Sequence, residues 1–173
     1  MKNIALIPAR GGSKGIPRKN IKLFNSRPLI YWSIKSALES NYIDRVIVST
    51  EDEEIADIAR SFSAEVPFKR PTELAEDNTK GIETVLHALD NLSNVDNIIL
   101  LQPTSPLRKT KHIEEIFEIR SKYNCDSAVS VTIARKNIDL YFTLGEGNRL
   151  IPFSDDLKLM PRQQYAKSYT LNG

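Results

Sequence analysis

Short apolar runs that alternate with helical patterns constrain the fold of this chain more than any other feature of its sequence. The runs lie at residues 4–7, 45–49, 97–101 and 128–133, and they are rich in β-branched residues or leucine. Runs of this kind are typical of strands that are buried on both faces of a sheet. Because helical patterns separate them, we expect parallel strands joined by right-handed crossovers. The sequence therefore predicts an α/β fold with a three-layer, doubly wound, mostly parallel sheet.

Two local patterns place helices between these strands. Thr50 and Glu53 have the spacing of a capping box and indicate the start of one helix. A single apolar stripe at helical spacing predicts another helix, and it consists of Ile82, Val85, Leu86, Leu89 and Leu92.

The pattern changes after residue 133. Between residues 135 and 160 the apolar periodicity fades and turn-forming residues accumulate, among them Gly145, Gly147, Asn148 and Pro152. This change predicts a hairpin or arm that projects from the sheet. We therefore expect a single domain whose core covers residues 1–134 and whose arm covers residues 135–170.

Composition and charge exclude several classes of protein. The formal net charge of +2 gives no general attraction to nucleic acid or to an anionic membrane. The single cysteine, Cys125, cannot form an internal disulfide, and the two histidines are too far apart in sequence for a zinc site. The first apolar run is broken at Pro8 and Arg10, so it is too short for a signal peptide or a membrane span. We expect a cytoplasmic protein.

The loop after the first run has the composition of a polyphosphate site. Open α/β sheets bind ligands at the carboxyl ends of their strands, where this loop begins. Its glycines allow backbone amides to approach an anion closely, and its cations supply charged donors; these residues are Gly11, Gly12, Gly15, Arg10, Lys14 and Lys19. Neither the Walker A pattern nor GxGxxG is present. A glycine-rich basic loop can also be a solvated turn, and its composition alone leaves that alternative open.

Several motifs in order give the chain a family resemblance. The segments IPARGGSKGIPRKN, VIVSTED, VPFKRPTELAED and LLQPTSPLR are followed by PRQQ at 161–164 and LNG at 171–173. Together they resemble the acylneuraminate (CMP-sialic acid) cytidylyltransferases, a group that includes enzymes acting on legionaminate and pseudaminate. The resemblance covers essentially the whole chain. It implies a nucleotidyltransferase that converts CTP and an acidic nine-carbon sugar into the CMP-sugar and pyrophosphate, for cell-surface glycans such as lipopolysaccharide or capsule.

The resemblance also implies roles for individual residues. Arg10 and Lys19 are expected to support catalysis through their positive charge. The expected nucleotide-binding residues are Ala9, Arg10, Gly11, Ser13, Lys14, Asn20 and Arg70. The expected sugar-binding residues are Gln102, Thr104, Ser105, Arg162 and Asn172.

Two departures from the family pattern accompany these roles. Where the family often has small hydroxyl residues near the cytosine, this chain has Lys80 and Gly81. Family members continue past the matching NG into a further strand and a segment whose paired aspartates hold magnesium. We therefore expect Mg²⁺ as the cofactor, with none of its ligands in this chain, and a truncated sequence. The resemblance further implies a homodimer that pairs through the arm.

Three alternative functions stay open on the sequence alone. A cytidylyltransferase for the eight-carbon acidic sugar KDO is a near neighbour, although an aspartate expected there is replaced by Pro103 and Thr104. A second alternative is a module that binds the nucleotide without turnover, because the carboxylates that hold magnesium in the family are absent. A nicotinamide-dependent dehydrogenase is disfavoured by the failed GxGxxG pattern.

Overall fold

The computed structural model describes residues 2–153 and 160–172, which fall into two compact units that meet in sequence at residues 128 and 129. The strands are β1 (Asn3–Pro8), β2 (Leu23–Phe24), β3 (Arg27–Pro28), β4 (Arg45–Ser49), β5 (Asn97–Leu100), β6 (Val131–Ile133), β7 (Phe142–Leu144), β8 (Leu150–Pro152) and β9 (Tyr169–Leu171). The α-helices are α1 (Leu29–Leu38), α2 (Glu53–Ser61), α3 (Gly81–Asp90) and α4 (Thr110–Tyr123).

The first unit is built on a parallel sheet with the strand order β4-β1-β5. The register pairs Ile4 with Arg45 on one side of β1 and with Ile98 on the other. The chain thus starts at the centre, crosses to β4 through α1, and later crosses back to β5 on the opposite side. The predicted α/β fold with a parallel sheet is confirmed.

The two faces of β1 support two separate cores. Ala5 and Ile7 pack with residues of α1, α2 and α4, whereas Ile4 and Leu6 pack with Ala88 of α3. Side chains alternate between the faces of a strand, so a continuous apolar run supplies both cores at once. Burying each large aliphatic side chain stabilises the fold by roughly 1.5–3 kcal/mol. The three predicted layers are therefore helices, sheet and helix.

The second unit contains two small antiparallel sheets. Strand β6 pairs with β9, and β7 pairs with β8 through a short turn, which confirms the predicted hairpin. The prediction of a buried strand at 128–133 is wrong, because β6 is exposed along its length and its partner is antiparallel. Among the described strands, β6 pairs only with the short strand β9, and both faces of β6 stay uncovered in this unit.

The helix predicted from the apolar stripe is confirmed as α3, and Val85 and Leu92 of the stripe pack against the core, whereas its other members are more exposed. Ile82 and Leu86 are 57% and 52% exposed, whereas Thr84 and Ala88 are buried. Small side chains allow the helix axis to approach the sheet closely, so the face with the small residues turns inward. Among the described helices, none has the length and apolarity needed to cross a membrane.

Candidate functional site

A cavity of about 280 Å³ opens at the carboxyl ends of β1 and β5. Because β1 lies between β4 and β5, this position is the point where the strand order changes direction, and doubly wound sheets bind ligands there. The cavity brings together seven residues that the sequence assigned to the site, namely Arg10, Ser13, Lys19, Asn20, Arg70, Gln102 and Thr104.

The other predicted residues have different surroundings. Ala9 is fully buried in the core, and its amide donates to the carbonyl of Ser49. The amide of Ser105 donates to the carbonyl of Gln102. Residues 162 and 172 belong to the second unit. There the amide of Asn172 donates to the carbonyl of Ser130.

Arg162 begins a 3-10 turn of the second unit, and its side chain lies outside the described part of the chain. Gly11 and Lys14 both contact acidic side chains of neighbouring loops.

Three cations and two carboxylates line the cavity, and two of these groups form an ion pair. Arg10 Nη2 lies 2.7 Å from Asp77 Oδ1, and Lys14 Nζ, from the same loop as Arg10, lies 2.5 Å from Asp77 Oδ2. Arg10 Nη1 also donates to the carbonyl of Ala75 at 3.2 Å. The hydrogen bond from Lys14, and to a smaller extent the one from Arg10, holds the pKa of the Asp77 carboxyl below its usual range. This carboxylate therefore partners two of the cations that the sequence predicts to bind phosphate.

Gly11 lies against the acidic start of α2. A Cβ atom at this position would stand 2.4 Å from Asp52 Oδ2, whereas a Cβ at Gly12 would meet no atom within 4 Å. The Gly11 amide donates to Glu51 Oε1 at 2.7 Å. A methyl group at Gly11 would thus require the Asp52 side chain to move.

The same junction includes Arg18, which pairs with the carboxylates of Asp52 and Glu54. Asp52 is also the N-cap of α2, because its Oδ1 accepts from the Ile55 amide at 3.0 Å. The capping box predicted from Thr50 and Glu53 is therefore wrong. The hydrogen bond that Asp52 accepts from Arg18 holds the pKa of the Asp52 carboxyl below its usual range.

Arg70 is the most deeply buried cation of the cavity. Only 4% of its side chain is exposed, and its Nη2 donates to Glu51 Oε2 at 2.6 Å. Its backbone amide donates to the Thr50 carbonyl, which fixes the loop against the end of β4. Arg70 Nε is buried and has no hydrogen-bond partner among the described residues. A buried donor without a partner at the wall of a cavity is suited to an anionic ligand.

Asn20 fixes the loop that carries Arg10. Its side chain is buried, and its Nδ2 donates to the Arg10 carbonyl at 2.9 Å. In this structure the Asn20 amide therefore serves the loop backbone at the edge of the cavity.

The loop after β5 is held by a partly buried arginine. Arg108 donates to the Gln102 carbonyl and to Ser33 Oγ, each at 3.3 Å, and burial lowers the pKa of its guanidinium. The Gln102 side chain accepts from Thr104 Oγ1 at 3.3 Å. Uncharged donors and acceptors on a fixed loop are suited to reading sugar hydroxyls.

Hydroxyl groups also line the opposite wall. Thr79 and Thr84 contribute to the cavity on either side of Lys80 and Gly81 in the sequence. Lys80 is the N-cap of α3 and Gly81 is its first residue. Although Lys80 and Gly81 depart from the family pattern, the neighbouring Thr79 and Thr84 still place hydroxyl groups in the cavity wall.

Sequence reasoning missed Glu51, Asp77 and Arg108. Glu51 follows β4 directly, so the rule that ligand sites lie at strand ends could have selected it. Acids at this position also complement the positive end of the α2 dipole, so their location alone does not single out Glu51. Asp77 and Arg108 lie within motifs that carry the resemblance, but nothing in their spacing shows which partners they contact.

No metal centre accompanies the cavity in the described residues. Across 2–153 and 160–172, no group of three or more histidine, cysteine, aspartate or glutamate side chains could hold a metal ion. Asp77 and Glu76 line the cavity, but Asp77 is already engaged by two cations. These residues therefore do not form a magnesium site as they stand.

Comparisons relate this chain to known proteins. A family model described as cytidylyltransferase matches residues 4–142. The chain is 37% identical to an N-acylneuraminate cytidylyltransferase of Escherichia coli O18:K1:H7 over 99% of its own length. It is 34% identical to a pseudaminic acid cytidylyltransferase of Campylobacter jejuni over 98% of its length.

The match covers different shares of these relatives. The chain spans 41% of the Escherichia coli protein and 75% of the Campylobacter protein. Among solved structures, a CMP-2-keto-3-deoxy-manno-octonic acid synthetase complexed with CTP superposes with a TM-score of 0.71 and 20% identity. That alignment covers 100% of this chain and 72% of the other. At this identity the likeness shows a shared fold.

Proposed function

The chain belongs to the cytidylyltransferase family, and on this premise we propose that it transfers CMP from CTP to an acidic nine-carbon sugar. The observation that carries the proposal is the cavity in which Arg10, Lys19 and Arg70 face the same space as Gln102. The names of the relatives support the sugar class, because both act on nine-carbon acids of the sialic type.

The cations fit the demands of the reaction. A triphosphate carries about four negative charges at neutral pH, and the site offers three cations on its walls. In the proposed step, the anomeric hydroxyl oxygen of the sugar bonds to the α-phosphorus of CTP. The bond from that phosphorus to the bridging oxygen breaks, pyrophosphate leaves, and the hydroxyl proton is lost to solvent. Such a transfer depends on positioning and on charge stabilisation more than on covalent chemistry by the protein.

We assign the residues to two sides of the site. Arg10, Ser13 and Lys19 come from the loop after β1 and hold the triphosphate, with Lys14 close to Arg10 through Asp77. Arg70 approaches the nucleotide from the loop beyond β4.

The sugar side is assigned to the loop after β5. Gln102, Thr104 and Ser105 read the sugar hydroxyls there. Arg162 and Asn172 belong to the family motifs at 161–164 and 171–173, and their role in sugar binding stays a prediction.

Magnesium is proposed as the metal that accompanies CTP, since family members commonly use it. The residues described here do not form its site, so no step is derived through it. The reaction is proposed to take place in the cytoplasm, where CTP is available. A homodimer is proposed as well, supported by exposed apolar side chains on the β7–β8 hairpin and next to it, which include Leu144, Leu150, Ile151 and Phe153.

Calorimetric titration with CTP and a pyrophosphate-release assay test the proposed function together. We expect CTP to bind more tightly than ATP or UTP, and pyrophosphate to appear only when a nine-carbon acid is added. Lys19→Ala should weaken CTP binding, whereas Lys22→Ala, an exposed cation of the same segment, should not. Release with KDO instead would assign the enzyme to the eight-carbon sugar. Binding without release would support a nucleotide-binding module, and absence of CTP binding would refute the proposal.

A further inference from the structure

Glu51 connects the loop after β1 with Arg70, the two parts of the site whose cations are proposed to bind the nucleotide. Its Oε1 accepts from the Gly11 amide at 2.7 Å, and its Oε2 accepts from Arg70 Nη2 at 2.6 Å. The glutamate side chain is 15% exposed. We infer that Glu51 is a positioning residue of the nucleotide site, one that fixes the Arg10–Gly11 peptide and the Arg70 guanidinium without touching the nucleotide. This inference rests on the proposed function.

The first half of the inference concerns one peptide bond. The carbonyl of Arg10 and the amide of Gly11 belong to the same peptide unit. Asn20 Nδ2 donates to the carbonyl at 2.9 Å, and Glu51 accepts from the amide on the other side. A peptide plane held at both ends cannot rotate, so the direction in which the Arg10 side chain leaves the loop is set before any ligand arrives.

The second half concerns the charge of Arg70. A guanidinium that is 4% exposed needs a counter-charge, because burial of an unpaired charge is costly. Glu51 supplies that charge through Nη2. Guanidinium has five N–H donors, and the buried Nε has no partner among the described residues. Arg70 is therefore held in place while keeping donors for an anion.

A carboxylate is required for both tasks at once. Its two oxygens accept from two donors on different loops, whereas a glutamine amide offers one oxygen and one NH2 group. In Glu51→Gln, the new NH2 group must point at either the Gly11 amide or the Arg70 guanidinium, and both of these are themselves donors. The side chain keeps its size, so the substitution removes one interaction and the charge without opening a cavity.

The test is titration of the 173-residue chain with CTP, combined with thermal unfolding of each variant. We expect E51Q to bind CTP at least about tenfold more weakly, from the loss of a charge-assisted contact. The matched control is E53Q, because Glu53 is an exposed acid of the same segment that pairs with Arg60. Its affinity should stay within about twofold of wild type, as expected for an exposed ion pair.

Two further measurements separate positioning from a general loss of structure. Exchange of the Gly11 amide hydrogen should accelerate in E51Q and stay unchanged in E53Q. In a cycle with R70Q, the loss caused by E51A should be smaller than in the wild-type background but still present, because alanine removes the acceptor of the Gly11 amide in both backgrounds. If E51Q does not fold, the double variant E51A/R70Q replaces it and is compared with R70Q.

The outcomes are distinguishable. A folded E51Q that binds CTP like wild type, or E51A/R70Q with the affinity of R70Q, would overturn the positioning role and leave the proposed function standing. A wild-type chain that does not bind CTP would overturn both.

Discussion

Replacing Gly11 by alanine should destabilise the protein through one contact. A methyl group there would stand 2.4 Å from Asp52 Oδ2, so the carboxylate must move. Asp52 would lose its hydrogen bond to the Ile55 amide, which caps α2, and its pairing with Arg18. Loss of an N-cap costs about 1 kcal/mol. Loss of a partly exposed ion pair costs up to about 1 kcal/mol.

The expected total is a loss of about 1–2 kcal/mol in the free energy of unfolding. For a domain of this size, that corresponds to a decrease of about 2–8 °C in Tm. The assay is urea and thermal unfolding followed by circular dichroism. Gly12→Ala is the matched control, because its added Cβ would meet no atom within 4 Å. This control should be neutral or slightly stabilising, since alanine restricts the unfolded chain.

A double-mutant cycle checks the assigned cause. In an Asp52→Ala background, the carboxylate that opposes the new methyl is absent, so Gly11→Ala should cost little more. The reasoning is refuted if Gly11→Ala is as stable as Gly12→Ala. It is also refuted if the cost of Gly11→Ala is the same with and without Asp52.

Three other perturbations follow from the same site. Arg10→Ala should leave the fold intact and reduce CTP-dependent pyrophosphate release about a hundredfold or more; unchanged turnover would remove Arg10 from the mechanism. Asp77→Asn should raise the affinity for CTP in a low-salt titration by about twofold to fivefold, because the nucleotide no longer displaces a carboxylate from Arg10; weaker binding would mean that Asp77 supports the ligand. The pKa of Asp52 is lowered in the folded state, so its contribution to stability is present above the ordinary pKa near 3.8 and is lost as pH falls through the lowered value. Asp52→Asn should therefore lose less stability than wild type in urea unfolding between about pH 5 and pH 2, and parallel losses would contradict this.

The central strands could be predicted because local composition is sufficient there. Ile4 and Leu6 face one core and Ala5 and Ile7 the other, and all four are fully buried. A run that is apolar at every position has only one environment in which all its side chains are covered. A cavity does lie at the carboxyl ends of β1 and β5, where the rule for ligand sites in open sheets points.

Partner choice could not be predicted from composition. The run at 128–133 favours burial, but Val131 and Ile133 pair with the distant strand β9 and stay exposed. In α3 the apolar stripe suggested the inward face, but only part of it is covered: Val85 packs beside Ala88, whereas Ile82 and Leu86 stay exposed. Periodicity shows that a helix has two faces, and close packing decides which of them is covered.

Long-range contacts account for the residues that sequence reasoning missed at the site. Glu51 accepts from a residue 40 positions earlier and from another 19 positions later. The short hairpin of β2 and β3 was missed for a local reason. Its turn residues, Asn25 and Ser26, both have positive φ angles without glycine, the residue most often found at such positions.

The carboxylate of Asp77 makes the loop after β1 selective before any substrate arrives. Because its two oxygens already occupy Arg10 and Lys14, a small anion such as chloride or acetate gains nothing by replacing it. A chain of linked phosphates brings several charges in one molecule and spans both cations, so it outcompetes the internal partner. Occupancy of the loop should therefore rise with the number of connected phosphates.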